Sequence, residues 1–409
     1  MRRPRDQWLT LPLALAFFFG PALSLAFGVR PRAIENRRLA DAPRLSQGWD
    51  VFPAIDVWAT DHLPLRDRAV RTNTWASRKF LRELPSYGGA PKAKGVAGLP
   101  ADTPPLQPPP RPDGGLRPFA GPAVDGPVTI PTVVRGRDDM LFFGVDFRVA
   151  CSPNAWQPAD VHARLGRLDR VVAKSGRRLV VVIPPNKSTI ETESLPADFP
   201  GRECSAERRD AFWQQTARFD RRWYVDMRAP LEAARSRGEL YRRSDTHWSP
   251  MSAAIYAEQL ARNLDPRLWD RTTVRETGSR PVDGDLAALL GTPRKDIVRD
   301  FVVVRDGVTP AAGSTGRAVR NTTSSAPLFE PHTLFIGDSV TDVSWSALAP
   351  IFRSADRLKA AFNLRNQALL DALEEADVIV LEIVERDIVG GRAATLSDAS
   401  LEWLEAHLH

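Results

Sequence analysis

The chain has 409 residues, 43% of them hydrophobic, which is enough apolar material for packed domains plus linkers and argues against a wholly disordered polymer. Its formal net charge is +6, but Arg is spread along the chain with no basic tract. That argues against a dedicated nucleic-acid arm and leaves a weakly basic surface suited to acidic polymers or anionic lipid. The two cysteines, Cys151 and Cys204, form no CxxC pair, which argues against a thiolate zinc site and allows one disulfide in an oxidising compartment.

The amino terminus reads as an export signal. Arg2, Arg3 and Arg5 precede an apolar run from Trp8 to Gly28. About 20 apolar residues cross a bilayer, and the flanking positive charge keeps the amino end in the cytoplasm. Residues 1–30 are therefore expected to be an uncleaved single-pass anchor, with a cleaved signal peptide as the competing reading because Ser24 and Ala26 offer a small-x-small site. Either way the rest of the chain faces a periplasmic or extracellular space. Residues 31–85 form a helical segment in which Trp49, Phe52, Ile55, Trp58, Leu65, Val70 and Trp75 fall mostly at helical spacing. Residues 86–131 are too rich in Pro and Gly to pack and read as an extended linker or insertion.

From residue 132 to 409 the pattern changes to strands alternating with helices. "DDMLFFG" is a short strand and turn. "ADVHARLGRLDRVVAKSG" is a helix that stops at Gly176. "RRLVVVIPP" is a buried parallel strand closed by prolines. Residues 205–221 predict a helix, "RRWYVDM" a strand and "APLEAARSRG" a helix. Ser249-Pro250 supplies an N-cap and first turn for "MSAAIYAEQLARNL". "HTLFIGDS" and "DVIVLEIVERDIV" are further strands. The expected fold is α/β, with a mostly parallel central sheet flanked by helices.

Ligands bind at the carboxyl ends of strands in open α/β sheets. Three polar clusters fall there: Gly337-Asp338-Ser339, the turn from Pro184 to Lys187, and Glu382, Glu385 and Arg386. A serine at a strand-to-helix turn sits beside free backbone N–H groups that can hold an oxyanion, although Gly-Asp-Ser is also an ordinary cap. Such a serine needs a base. Of six histidines, His247 in "YRRSDTHWSP" has Asp245 two residues before it, and in an extended chain both side chains fall on one side. Asp245 would then orient the imidazole while its other nitrogen faces Ser339. The alternative is a structural loop. No further ligands stand at metal-site spacing, so neither a metal nor another cofactor is expected. Trp248 is either a sugar platform or a core anchor. Lys187 and Arg386 are either substrate contacts or structural ions, with Glu382 or Glu385 as the arginine's partner.

"DTHW" followed far downstream by "LFIGDS" resembles the SGNH-hydrolase-like alginate O-acetyltransferase family. "ENRRLADAP", "DHLPLRDR", "IPPNKSTIETESLP" and "VLEIVER" agree with it in order along residues 34–86 and 138–390. The resemblance implies acetyl transfer through Ser339, His247 and Asp245 onto hydroxyls of an exported polysaccharide. It also implies a membrane-bound O-acyltransferase partner that supplies the acetyl group. The D-x-H order, ahead of the serine, follows this acetyltransferase branch and not ordinary SGNH hydrolases. An extracellular acetylesterase and an inactive polysaccharide-binding scaffold remain the rival readings.

Overall fold

In chain order the elements are β1 (Val133–Arg135), β2 (Leu141–Phe143), α1 (Gly144–Ala150), α2 (Pro158–Lys174), β3 (Arg178–Val182), α3 (Lys187–Ile190), α4 (Arg202–Thr216), β4 (Tyr224–Val225), α5 (Arg228–Ala233) and α6 (Pro250–Leu264). A long pair, β5 (Thr272–Asp283) and β6 (Lys295–Arg305), is followed by β7 (Thr309–Pro310), β8 (Ala318–Thr322), β9 (Thr333–Gly337) and α7 (Ser339–Leu348). The chain then runs through β10 (Ser354–Lys359), α8 (Gln367–Glu375), β11 (Val378–Glu382), α9 (Glu385–Val389) and α10 (Asp398–His407). The structure is a computed structural model that describes residues 130–152, 155–220, 222–311, 316–359 and 367–409. The expected anchor, the helical segment 31–85, and the Pro/Gly-rich stretch up to residue 129 lie outside the described residues. Among the described residues no helix is long and apolar enough to cross a membrane. The chain divides into two units, residues 1–86 with 287–294, and residues 87–286 with 295–409. Of the first unit only 287–294 is described, with a left-handed turn at Gly291 (φ 65°). The architecture below is that of the second.

Seven strands form one sheet in the order β4-β3-β11-β9-β10-β8-β7. The five strands from β4 to β10 are parallel, while β8 joins β10 antiparallel and β7 joins β8 antiparallel. The sheet is therefore mixed, and the expectation of a mostly parallel sheet is corrected. The antiparallel edge comes from residues 309–322, a polar, Gly- and Thr-containing stretch without the apolar run that marks a buried parallel strand.

The central strands are buried on both faces, and side chains alternate between two cores. Leu179, Val181, Leu334, Ile336, Ile379 and Leu381 face one core, completed by Leu165 and Leu168 of α2, Leu373 of α8 and Leu401 and Leu404 of α10. Val180, Val182, Phe335, Val378 and Val380 face the other, filled by α6 and α7. The result is helix, sheet, helix. Two signals act as the sequence predicts: the chain turns at Gly176 (φ 77°) after α2, and Ser249 Oγ accepts the Ser252 N–H at 3.3 Å to cap α6; α2 itself opens one residue earlier than read, at Pro158. Cys151, just after α1, is bridged to Cys204 in α4 with Cα atoms 5.5 Å apart. The β5–β6 pair is an antiparallel arm whose β5 strand is exposed along nearly its whole length.

Candidate active site

β9 ends at Gly337, and the chain turns directly into α7 at Ser339. Asp338 is the N-cap: its Oδ1 accepts the Val340 N–H at 2.7 Å. The helix ladder begins at Asp342 N–H to Asp338 O, so the Ser339 N–H is left outside it, next to its own hydroxyl. A Cβ on Gly337 would lie 2.2 Å from Thr341 Oγ1 and 2.8 Å from Glu382 Oε2, so only glycine allows the turn to close this tightly. Beneath it, Glu382 Oε2 accepts the Asp338 N–H at 2.9 Å and the Thr341 hydroxyl at 3.0 Å. Burial, followed by the charge of Asp338, raises the Glu382 carboxyl well above the ordinary carboxylate range.

The second element is the loop before α6. Asp245 Oδ1 accepts the backbone N–H of His247 at 2.7 Å and lies 2.6 Å from its Nδ1. Burial opposes the Asp245 charge. Its hydrogen bonds with His247 and the charges of His247 and Arg242 outweigh that penalty and hold its carboxyl below the usual range. An ionised carboxylate only accepts, so Nδ1 carries the proton and Nε2 is the nitrogen left with a lone pair. Both side chains are buried.

Ser339 and His247 line the same cleft, which is walled by Pro184, Asn186, Lys187, Val384 and Arg386. No hydrogen bond joins Ser339 to His247 among the described residues. Three other histidines are engaged elsewhere: His162 stacks on Phe219, His332 sits before β9 within reach of Ser354 and Asp356, and His407 stacks on Trp403.

The remaining sequence-derived residues separate by what they touch. Lys187 is buried, and its Nζ donates to the carbonyls of Arg242 (2.5 Å), Arg243 (2.9 Å) and Asp245 (3.1 Å). All three of its donors are taken, so it ties down the loop that carries His247. Burial pushes this ammonium down to about 7, against the charges of Asp245, Asp296 and Asp285. Trp248 is 1% exposed, and its Nε1 donates to Ser344 Oγ at 2.9 Å, so it packs as a core anchor and offers no open ring face to a sugar. Arg386 is not paired with Glu382 or Glu385. Glu385 accepts from Asn186 N–H (2.8 Å) and Thr189 (2.7 Å), and the carboxylate facing Arg386 is Asp146, 3.8 Å away. Burial raises the Asp146 carboxyl to about 7, and Arg386 opposes the rise.

The sequence reading missed two residues. Asn186 is 5% exposed on the cleft wall; its Oδ1 accepts the Arg386 N–H at 3.2 Å, and its Nδ2 has no partner among the described residues. Its place in the turn after a prolyl-closed strand was the available signal. Asp285, just after β5, approaches the same loop as Asp245, and no local pattern announces it.

A serine at the strand-to-helix turn of a central parallel strand, sharing its cleft with a carboxylate-held histidine, is the layout of an SGNH hydrolase-like domain. The chain belongs to the alginate O-acetyltransferase family: the profile for the SGNH hydrolase-like domain of the acetyltransferase AlgX matches residues 133–355. It is 32% identical over 172 residues to the "Probable alginate O-acetylase AlgJ" of Pseudomonas putida, covering 39% of this chain and 42% of that one. It is 27% identical over 180 residues to the protein of the same description from Azotobacter vinelandii, covering 42% of each. The chain thus spans about two fifths of the length of the curated relatives it matches. Among solved structures it is similar to the O-acetyltransferase domain of Pseudomonas putida AlgJ (21% identity, TM-score 0.47, 67% of this chain and 98% of that one). It is also similar to Pseudomonas aeruginosa AlgX (18% identity, TM-score 0.40, 65% and 66%).

Proposed function

We propose that the protein is an extracytoplasmic O-acetyltransferase that passes an acetyl group through Ser339 onto hydroxyls of an exported, alginate-like polysaccharide. The observation that carries this reading is the 2.6 Å contact of Asp245 with His247 Nδ1, in the cleft that Ser339 also lines. His247 Nε2 takes the Ser339 proton as Oγ attacks the donor's acyl carbon. The tetrahedral oxyanion is held by donors at hand: the Ser339 N–H, the Asn186 amide and the Arg386 guanidinium. Collapse releases the donor's leaving group, which takes the proton from His247 and leaves acetyl-Ser339. A polymer hydroxyl then gives its proton to Nε2 and attacks the ester. The second collapse returns that proton to Ser339 Oγ, so one acetyl group has moved and the enzyme is restored. Asp245 holds the imidazole tautomer and offsets the imidazolium charge through both steps.

Acyl transfer outside the cell needs a supply of acetyl groups. The family resemblance points to a membrane-bound O-acyltransferase partner, with the amino-terminal segment holding this domain at the membrane. The test is intact-mass measurement after incubation with an activated acetyl ester. Wild type is expected to gain one acetyl group, Ser339→Ala none, and an oligosaccharide acceptor is expected to discharge the adduct as acetylated sugar. Discharge only as free acetate means an esterase. Absence of both adduct and turnover in the wild type overturns the acetyl-serine route.

A further inference from the structure

Asp285 reaches the loop that carries His247 from the far end of β5, and both its carboxylate oxygens and its backbone N–H are engaged with that loop. Its Oδ1 accepts the Thr246 backbone N–H at 2.8 Å and its Oδ2 the Thr246 hydroxyl at 2.5 Å. Its own backbone N–H donates to Asp245 Oδ2 at 3.3 Å. Oδ2 also lies 3.6 Å from His247 Nδ1. The approach is built into the neighbouring residues. A Cβ on Gly284 would lie 2.1 Å from Ser244 Oγ, so the chain passes against the loop with no room for a side chain. The Leu286 N–H donates to Ser244 O at 3.1 Å, and Asp296, at the start of β6, accepts the Ser244 N–H at 2.7 Å. The connecting end of the β5–β6 arm therefore grips Ser244, Asp245 and Thr246 in turn, in addition to the Lys187 clamp on the same loop.

We propose that Asp285 is a positioning residue for the catalytic base: it fixes the Asp245–His247 loop and places a second carboxylate beside Nδ1. Asp245 spends Oδ1 on His247 and has Oδ2 anchored by the Asp285 N–H, so the two acids form one unit around one imidazole edge. One side-chain ligand atom from each of Asp245, His247 and Asp285 lies within 4.8 Å of the other two, a spacing that also suits a cation. Their oxygens, however, already receive N–H and O–H hydrogens from His247, Thr246 and Asp285 itself, which makes the cluster a hydrogen-bonded network. Burial, followed by the Asp245 charge, raises the Asp285 carboxyl, in contrast to the depressed Asp245. Other charges facing the loop are Arg242 (3.7 Å from Asp245 Oδ2), Lys187 and Asp296, with Arg386 across the cleft.

This role rests on the acetyl-transfer reading for its kinetic consequences but not for its electrostatic one, so two readouts are used on the full-length protein. The first is the pH profile of kcat and KM for Asp285→Asn and Asp285→Ala. Asp285→Asn keeps the shape and removes the charge. The acid limb is expected to move to lower pH by about one unit, the usual effect of a charge at this range. Asp285→Ala also frees Thr246, and kcat is expected to fall at least about tenfold with KM little changed, because the base loses its aim. The second readout is NMR titration of the His247 imidazole, identified by its loss in His247→Gln, which needs no turnover. The titration is expected to move to lower pH in Asp285→Asn. Superimposable titrations of wild type and Asp285→Asn overturn the proposal, whether or not Asp285→Ala folds. A wild type without acetyl transfer but with the expected titration shift overturns the function and leaves this role standing.

Discussion

Replacing Glu382 with Gln tests the support under the nucleophile turn. Glu382 is 2% exposed, and its Oε2 receives the Asp338 N–H and the Thr341 hydroxyl, while Oε1 is buried with no partner among the described residues. Burial, followed by the Asp338 charge, favours a proton on this carboxyl, and a proton on Oε1 turns that orphan acceptor into a donor. An acid raised in the folded state contributes its stability in full below its unfolded value, 4.5 for Glu, and loses it as pH rises toward the folded value. While the proton stays on, the slope is about 1.4 kcal/mol per pH unit. Glutamine keeps the acceptor for Asp338 and Thr341 but has no proton to lose, and its second N–H is left without a partner. At pH 4.5 the variant is expected to be less stable than wild type by about 1–2 kcal/mol. The gap should close and then reverse between pH 5 and 7.5. Urea denaturation of both proteins across that range measures the difference directly, because the groups common to both proteins largely cancel. A difference that stays constant with pH, or widens in favour of wild type, would falsify the protonated-Glu382 account.

Two further outcomes concern residues around the site. Trp248→Phe keeps a ring in the core and loses the hydrogen bond to Ser344. Stability is expected to drop by about 1–2 kcal/mol with the KM for polymer unchanged; a raised KM at unchanged stability would instead make Trp248 a sugar contact. Replacing both Cys151 and Cys204 with Ser opens a loop with a sequence separation of 53, for which chain entropy sets a loss of about 4 kcal/mol. The melting temperature should fall by that equivalent, and addition of a reductant should lower the wild type in the same way. A wild type indifferent to reductant would mean that the two sulfurs are not bonded.

Much of the site was legible because local physics marks it. Gly337-Asp338-Ser339 follows the apolar run Leu334-Phe335-Ile336, which reads as a strand buried on both faces, so the polar residues after it fall at the sheet's carboxyl edge. Asp245 and His247 are two residues apart, so extended backbone alone brings them together. Ser249-Pro250 and Gly176 bound their helices by capping and by φ, both properties of single residues. The amphipathic pattern of α2 and the apolar runs of β3, β9 and β11 likewise announced a layered α/β domain before any coordinates.

What the sequence by itself determined, then, were the elements and the chemistry each carries in its own few residues. Tertiary structure alone decided which of them meet. It showed that Lys187 spends its charge on loop carbonyls, that Trp248 faces the core, and that Arg386 looks to Asp146 and not to the adjacent glutamates. It brought Asp285 from the far end of an exposed arm to the side of His247, and it added the antiparallel edge that makes the sheet mixed. The reason is range. Periodicity, capping and turn chemistry act over a handful of residues. The partners of a buried charge are set by whatever chain the fold packs against it, and neighbouring positions in sequence carry no trace of that partner.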